Sequence, residues 1–385
     1  MNSTIATNGI RLDLPIEFPL EIPENSGNII HGNAPRNLFG NTMSTLETSW
    51  RRITPSGKFR EYVSENCSHL IITMANFFRV GDFSPTMRKR YDYFSRALDG
   101  YDKPIILFGL GSQAKEGAPI GPDALPIEGQ RCLKKIIEKT AAVSVRGDYT
   151  RKLIESVTGP AEGQIFVTGC PSYFSRPEAF VRMQERLENP TSWRATAVNV
   201  TNYAREADQS LIQQAVDKDL YLVEPENKFV HGFYVESMRS GTTLKPPEVL
   251  DFVNSNDPGR ESKLKNFITT RYRLFRHFEP WIDFNREFVS ATIGTRFHVN
   301  MASFLSGVPA VWVTHDARTV ELTETLSLPS VPLSKLKTAP VEELIECADF
   351  DSFFRNVPKN FERFNEFLNA AGLPLVKTPQ LTAKA

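Results

Sequence analysis

Short apolar, β-branched runs alternate with amphipathic stretches along most of this chain. In the first half the runs occupy residues 69–77, 104–113, 141–146 and 164–171, each reading as a strand apolar on both faces. Between them, 129–140 and 149–157 have helical spacing, with Leu133, Ile136 and Ile137 on one face. A second series predicts strands at 194–203, 220–224, 288–294 and 309–314. Its helices are expected at 207–216, 247–253, 262–278, 297–306, 320–326 and 341–347. Residues 177–187 read as a helix between the two series, and Asn189-Pro190-Thr191 as the link. A last amphipathic helix, 360–371, carries Phe361, Phe364, Phe367 and Leu368, and the polar tail after Pro374 is expected to be loose.

Apolar strands alternating with helices specify parallel sheets covered on both faces. The expected fold is α/β, with two doubly wound, Rossmann-like domains at residues 1–188 and 189–385. Such sheets bind ligands beyond the carboxyl ends of their strands, so a cleft between the domains is the default site. The residues at those ends are Ser112, Gln113, Arg146, Cys170, Glu224, Arg296, His315 and Asp316.

Composition narrows the function. The 385 residues suit two domains, and 45 basic against 45 acidic residues exclude broad binding to a polyanion such as nucleic acid. Overall neutrality still allows a locally basic pocket. Cys67, Cys132, Cys170 and Cys347 are far apart and form no CxxC, which argues against a thiolate zinc site or a disulfide framework. The N-terminus shows no charged segment leading into an apolar one, and no apolar run approaches the roughly 18 residues of a membrane span. A cytoplasmic protein is expected.

Two segments carry candidate chemistry. In AAVSVRGDYT, Arg146 stands just past a buried strand, where it points into the crevice or forms a surface salt bridge; Asp148 suits a helix N-cap. In FVSATIGTRFHVNMASFLSGVPAVWVTHD, a strand ends at Gly294-Thr295, Arg296 sits at the turn, and His298 falls in the first helical turn. Free N–H groups at a helix start and a guanidinium fork together make an anion pocket. With Met301, Ala302 and Leu305 on its face, His298 also fits a core role. The loop Gly109-Leu110-Gly111-Ser112-Gln113 lets backbone approach a ligand but does not complete GxGxxG, so no nicotinamide cofactor is expected. His69, His231 and His277 have no partners at metal-ligand spacing, so no metal is expected either.

SVRGDYTRKLIES, then FVTGCPSYF, then IGTRFHVNMASFLSGVPAVWVTHDAR resembles the polysaccharide pyruvyl transferases, over about Asn25 to Leu373. The resemblance implies a GT-B-like fold: facing Rossmann-like domains, acceptor side first and donor side second, with a helix at about 359–372 crossing back. It implies transfer of a pyruvyl group from phosphoenolpyruvate to a sugar diol as a cyclic ketal, in surface or exopolysaccharide synthesis. Phosphoenolpyruvate is then the donor substrate, with no cofactor. The acceptor is a sugar or lipid-linked oligosaccharide, and a lipid-linked one would bring the enzyme to the inner membrane surface.

Carried over by resemblance, Arg146 matches an arginine of the first segment, and Gly294, Thr295, Arg296 and His298 match G-T-R-x-H. Asp316 and Arg318 stand where the family has an aspartate followed by a basic residue. Asn25, Gly27 and Asn28 occupy an Asn-x-Gly-Asp position and Cys170 a Gly-Asp-Pro position, with both acids replaced. Gly111 and Ser112, from the glycine loop at 109–113 and not from the resemblance, complete the candidate binding set. His298 is implied as proton donor or phosphate ligand, and Asp316 as partner of a sugar hydroxyl or as a helix cap. Two other readings stand beside this one. A nucleotide-sugar-dependent glycosyltransferase would use the Arg296 turn for a diphosphate. A non-catalytic sugar- or anion-binding relative is suggested by the acids missing at Asn28 and Cys170.

Overall fold

The computed structural model describes residues 4–7, 25–44, 58–114, 120–190, 194–239, 245–253 and 257–382. The predicted link at 189–191 and the end of the tail lie partly outside them. Strands β1 (Ile5–Thr7), β2 (Thr42–Ser44), β3 (His69–Thr73), β4 (Asn76–Arg79), β5 (Ile105–Gln113), β6 (Thr140–Val145) and β7 (Ile165–Val167) build the first sheet. All pairs are parallel, in the order β2-β1-β3-β5-β6-β7, with β4 beside the far end of β5. The second sheet holds β8 (Ala195–Asn199), β9 (Tyr221–Val223), β10 (Tyr272–Arg273), β11 (Val289–Gly294), β12 (Ala310–Thr314) and β13 (Ser330–Pro332). Its parallel order, β10-β9-β8-β11-β12-β13, reverses direction between β8 and β11. Loops leaving adjacent strands on either side of such a reversal diverge and open a crevice. Among the described residues no helix is long and apolar enough to cross a membrane.

The predicted α/β architecture of two parallel sheets is therefore what the chain forms. Ile106, Leu107, Phe108 and Leu110 of β5 are fully buried, because helices cover both faces of the sheet. The last helix runs Phe350–Ala370, longer than the predicted 359–372 at its start and slightly shorter at its end, and passes through Pro358. A proline inside a helix costs about 3 kcal/mol. Burying Phe353, Val357, Phe361, Phe364, Phe367 and Leu368 at about 1.5–3 kcal/mol each outweighs it. This helix returns to the first domain, where Phe364 stacks on Phe174 (4.0 Å) and Phe367 meets Phe108 edge-on (5.3 Å).

Elsewhere long-range pairing overrode local pattern. The run 69–77 splits, since β4 swings out to pair with Gly111–Gln113. The predicted helix 262–278 breaks after Arg271: Tyr272 is buried and pairs with Leu222 of β9, and a separate helix, Phe278–Phe288, follows. Helices Pro85–Leu98 and Lys228–Arg239 were not anticipated. Nor is the tail loose as far as Thr382. Val376 exchanges hydrogen bonds with Asn365, and Thr382 does so with Gln184.

Two contacts lock the domains together near the crevice. The Ser26 amide donates to the Pro225 carbonyl (3.1 Å). Glu321, from the second domain, caps the first-domain helix Asp148–Thr158 by accepting from the Thr150 amide (2.9 Å). A Cβ on Gly147 would lie 2.0 Å from Glu321 Cγ, so only glycine permits this approach.

If the returning helix holds the first sheet, Phe364→Ala should cost about 3–5 kcal/mol of stability in urea unfolding. A loss below about 1 kcal/mol would show that the stack contributes little.

Candidate active site

Arg146 leaves β6 with its amide donating to the Leu110 carbonyl (3.0 Å), which aims its side chain along the carboxyl end of the sheet. The residue is 2% exposed. Its Nε donates to the Gly109 carbonyl (3.1 Å) and Nη1 to Asn76 Oδ1 (3.1 Å), whereas buried Nη2 has no partner. Gly111 makes the channel: a Cβ there would sit 2.7 Å from Arg146 Cδ. A guanidinium stays charged in proteins, so this is a desolvated cation with a free N–H and neutral hydrogen-bond partners.

Arg296 is held differently. Its Nη1 pairs with Glu226, its Nη2 lies 3.7 Å from Glu224 Oε1, and its Nε donates to the Val200 carbonyl (2.8 Å). Fully buried Glu224 also accepts from the Tyr203 hydroxyl (2.7 Å). Thus Arg296 is neutralised by two carboxylates. Gly294 lets β11 close against β8, since a Cβ there would lie 2.2 Å from the Asn199 carbonyl oxygen. Thr295 donates to Asp208 (3.0 Å) and accepts from the Thr201 amide (2.8 Å).

His298 opens the helix Phe297–Leu305, with Nε2 3.7 Å from Cys170 Sγ. Its ring centroid is 4.8 Å from that of His31. Desolvation, then the nearby His31, Arg146 and Arg318, push its pKa well below the usual value, so it is neutral in the empty site. Asn25, at φ 27°, accepts the Gly27 amide on Oδ1 (3.0 Å). That turn packs closely enough that a Cβ on Gly27 would lie 3.3 Å from His298 Cβ.

One cavity of about 130 Å³ gathers Asn25, Gly27, Asn28, Arg146, Thr295, Arg296, His298 and Arg318 from both domains. The other sequence-derived candidates stand behind its wall. Gly111 and Gly294 serve by lacking side chains, and Ser112 is buried with its amide and hydroxyl both on Thr150 Oγ1 (3.1 and 3.0 Å). Asp316 caps the helix Ala317–Leu326 through the Thr319 amide (2.8 Å), and its other oxygen pairs with Arg318 (3.1 Å). It acts on the cavity by orienting Arg318 rather than by lining it. Asn76 and Thr201 also line the cavity but were hidden inside runs read as strand; ending those strands earlier exposes both. No motif pointed to His31.

A family model for polysaccharide pyruvyl transferase matches residues 25–317, which span every one of these cavity residues up to His298. The chain belongs to the polysaccharide pyruvyl transferase family. No curated protein matches it in sequence. Among solved structures it is similar to a putative UDP-N-acetylglucosamine 2-epimerase from Listeria monocytogenes (12% identity, TM-score 0.43, covering 96% of this chain and 91% of that one). It is also similar to MnaA of S. aureus, solved with UDP (10%, TM-score 0.43, 98% and 93%). A third is the Methanocaldococcus jannaschii UDP-GlcNAc 2-epimerase (10%, TM-score 0.41, 90% and 93%). These likenesses are too distant to bear on chemistry. In this pyruvyl transferase family member, Asn28 lies in the cavity wall and Cys170 against His298.

Arg146→Met removes the cation that acts on Glu321 and leaves the Gly109 and Asn76 acceptors unfilled, so it should cost about 1–3 kcal/mol of stability and abolish thermal protection by inorganic phosphate. A destabilised variant that still binds phosphate would assign the arginine to packing. A second expectation concerns acid. Burial, then Arg146, pushes His31 down to about 3, and His298 is depressed as well, whereas unfolded histidine protonates near pH 6.5. The unfolded chain therefore binds more protons below about pH 6.5, and stability should fall there by about 1.4 kcal/mol per pH unit for each histidine. Urea unfolding at about pH 7 and about pH 5.5 measures the slope; equal stabilities would mean the rings protonate freely when folded.

Proposed function

We propose that the cavity binds phosphoenolpyruvate and that the protein transfers its pyruvyl group to a sugar diol as a cyclic ketal. The observation that carries this reading is the unused Nη2 donor of buried Arg146, beside Arg318 and His298, in a cavity of about 130 Å³. Phosphoenolpyruvate brings a carboxylate and a phosphate, and each charge-assisted hydrogen bond contributes about 1.5–3 kcal/mol.

The depressed His298 fits the chemistry. Neutral in the empty site, it gains a proton as the anion enters, because the anion offsets the field of Arg146 and Arg318. It then gives that proton to the methylene carbon, leaving an oxocarbenium-like centre at the adjacent carbon. One sugar hydroxyl bonds to this centre, and its proton returns to His298. The second hydroxyl displaces phosphate, which departs carrying the second hydroxyl proton, so atoms and charge balance. General acid catalysis of this kind contributes about 10²–10⁴-fold. The acceptor is a sugar or lipid-linked oligosaccharide bound for a surface polysaccharide, and the reaction is cytoplasmic, at the inner membrane surface when the acceptor is lipid-linked.

Phosphoenolpyruvate, and not UDP- or GDP-sugars, should raise the melting temperature; the opposite pattern would replace this reading with glycosyl transfer. Arg146→Lys, which keeps the charge but loses the free Nη2 donor, should lower kcat/KM for the donor by roughly ten- to a hundredfold, the loss of about one charged contact. Unchanged kinetics would remove Arg146 from the donor site. In His298→Ala, turnover should drop by roughly 10²–10⁴ with the fold retained, and full activity would return this histidine to a packing role.

A further inference from the structure

A second imidazole lies against His298, outside the cavity wall. His31, on the short helix Asn28–Gly32, is 4% exposed, and its ring is tilted by 40° to that of His298 at a centroid separation of 4.8 Å. Neither Nδ1 nor Nε2 has a hydrogen-bond partner. A buried ring with an idle donor and an idle acceptor is a standing cost that a phenyl ring of similar shape would not carry.

The groups around the pair explain why it is idle in the empty site. Arg146 acts on both rings, and Arg318 acts on His298. Cys170 faces His298 Nε2 but also contacts Ser172 Oγ (3.0 Å), and the Tyr173 hydroxyl is taken by Asn360 (3.2 Å). Among the described residues no carboxylate acts directly on either ring; Glu321 acts on Arg146 and Asp316 pairs with Arg318, one step further out.

We propose that His31 holds the proton of His298: when an anion fills the cavity, the two imidazoles take up one proton between them. The rings are neighbours at a centroid separation of 4.8 Å, and the repulsion by which His31 lowers His298 arises only when both are charged, so a single proton between them escapes it. His31 is a positioning residue; it does not touch the substrate but keeps the proton where His298 can deliver it. The uptake rests on the anion site alone, and its catalytic use rests on the pyruvyl-transfer reading.

Calorimetric titration of the full chain with sulfate, in two buffers of different ionisation enthalpy near pH 7.5, reads the proton directly, because sulfate itself does not titrate there. Wild type should take up about one proton per sulfate bound. His31→Phe keeps a ring and removes the nitrogens; its uptake should fall by about half or more, and the alkaline limb of its kcat profile should move about one pH unit lower. His31→Gln, which returns an acceptor, should recover part of both. No sulfate binding, binding without proton uptake in wild type, or wild-type uptake and pH profile in His31→Phe would each overturn the proposal. Proton uptake with sulfate but no turnover of phosphoenolpyruvate would support the histidine pair and overturn the pyruvyl-transfer reading instead.

Discussion

A buried guanidinium with an unused N–H is the constraint around which this site is arranged. Moving a cation out of water costs several kcal/mol even after relaxation, and neutral hydrogen-bond partners return only part of it. Arg146 meets that cost with the Gly109 carbonyl and Asn76, in a channel that exists because residue 111 has no side chain. The parallel ladder of β5 and β6 fixes where the guanidinium emerges. The crevice above it is closed by a turn at Asn25–Gly27 from one side and by Arg318 from the other. What remains unmatched is positive charge, and its natural complement is a small anion.

The two arginines that flank the crevice divide the work. Arg296 belongs to a salt-bridged hub with Glu224 and Glu226, which ties β9 to the turn after β11 and stiffens the second domain's rim. Arg146 keeps an unused donor. Burial beside cations likewise holds the pKa of both histidines down. Contacts across the domain seam, Ser26 to Pro225 and Glu321 to Thr150, set the distance over which these groups cooperate.

Much of this was legible in the chain. Long apolar runs such as 104–113 announced central strands, and their carboxyl ends named Arg146 and Arg296 before any pairing was known. The illegible parts were short or depended on remote partners. β1 and β10 have three and two residues, too few for periodicity, and exist because neighbouring strands present open edges. Asn76 was absorbed into a strand that in fact turns away two residues earlier. His31 sits in a five-residue helix without a motif, and only its proximity to His298 gives it meaning.

The sequence by itself determined the α/β class, the alternation that yields parallel sheets, and the delivery of Arg146 and Arg296 to the crevice, because those properties follow from local periodicity and from where strands end. Only the tertiary structure decided which charges in that set are spent. Glu226 reaches Arg296 across 70 residues of chain, and no acid reaches the Arg146 guanidinium with a hydrogen bond. Electrostatic compensation is a property of distance in space and of burial, and neither is written in the order of residues.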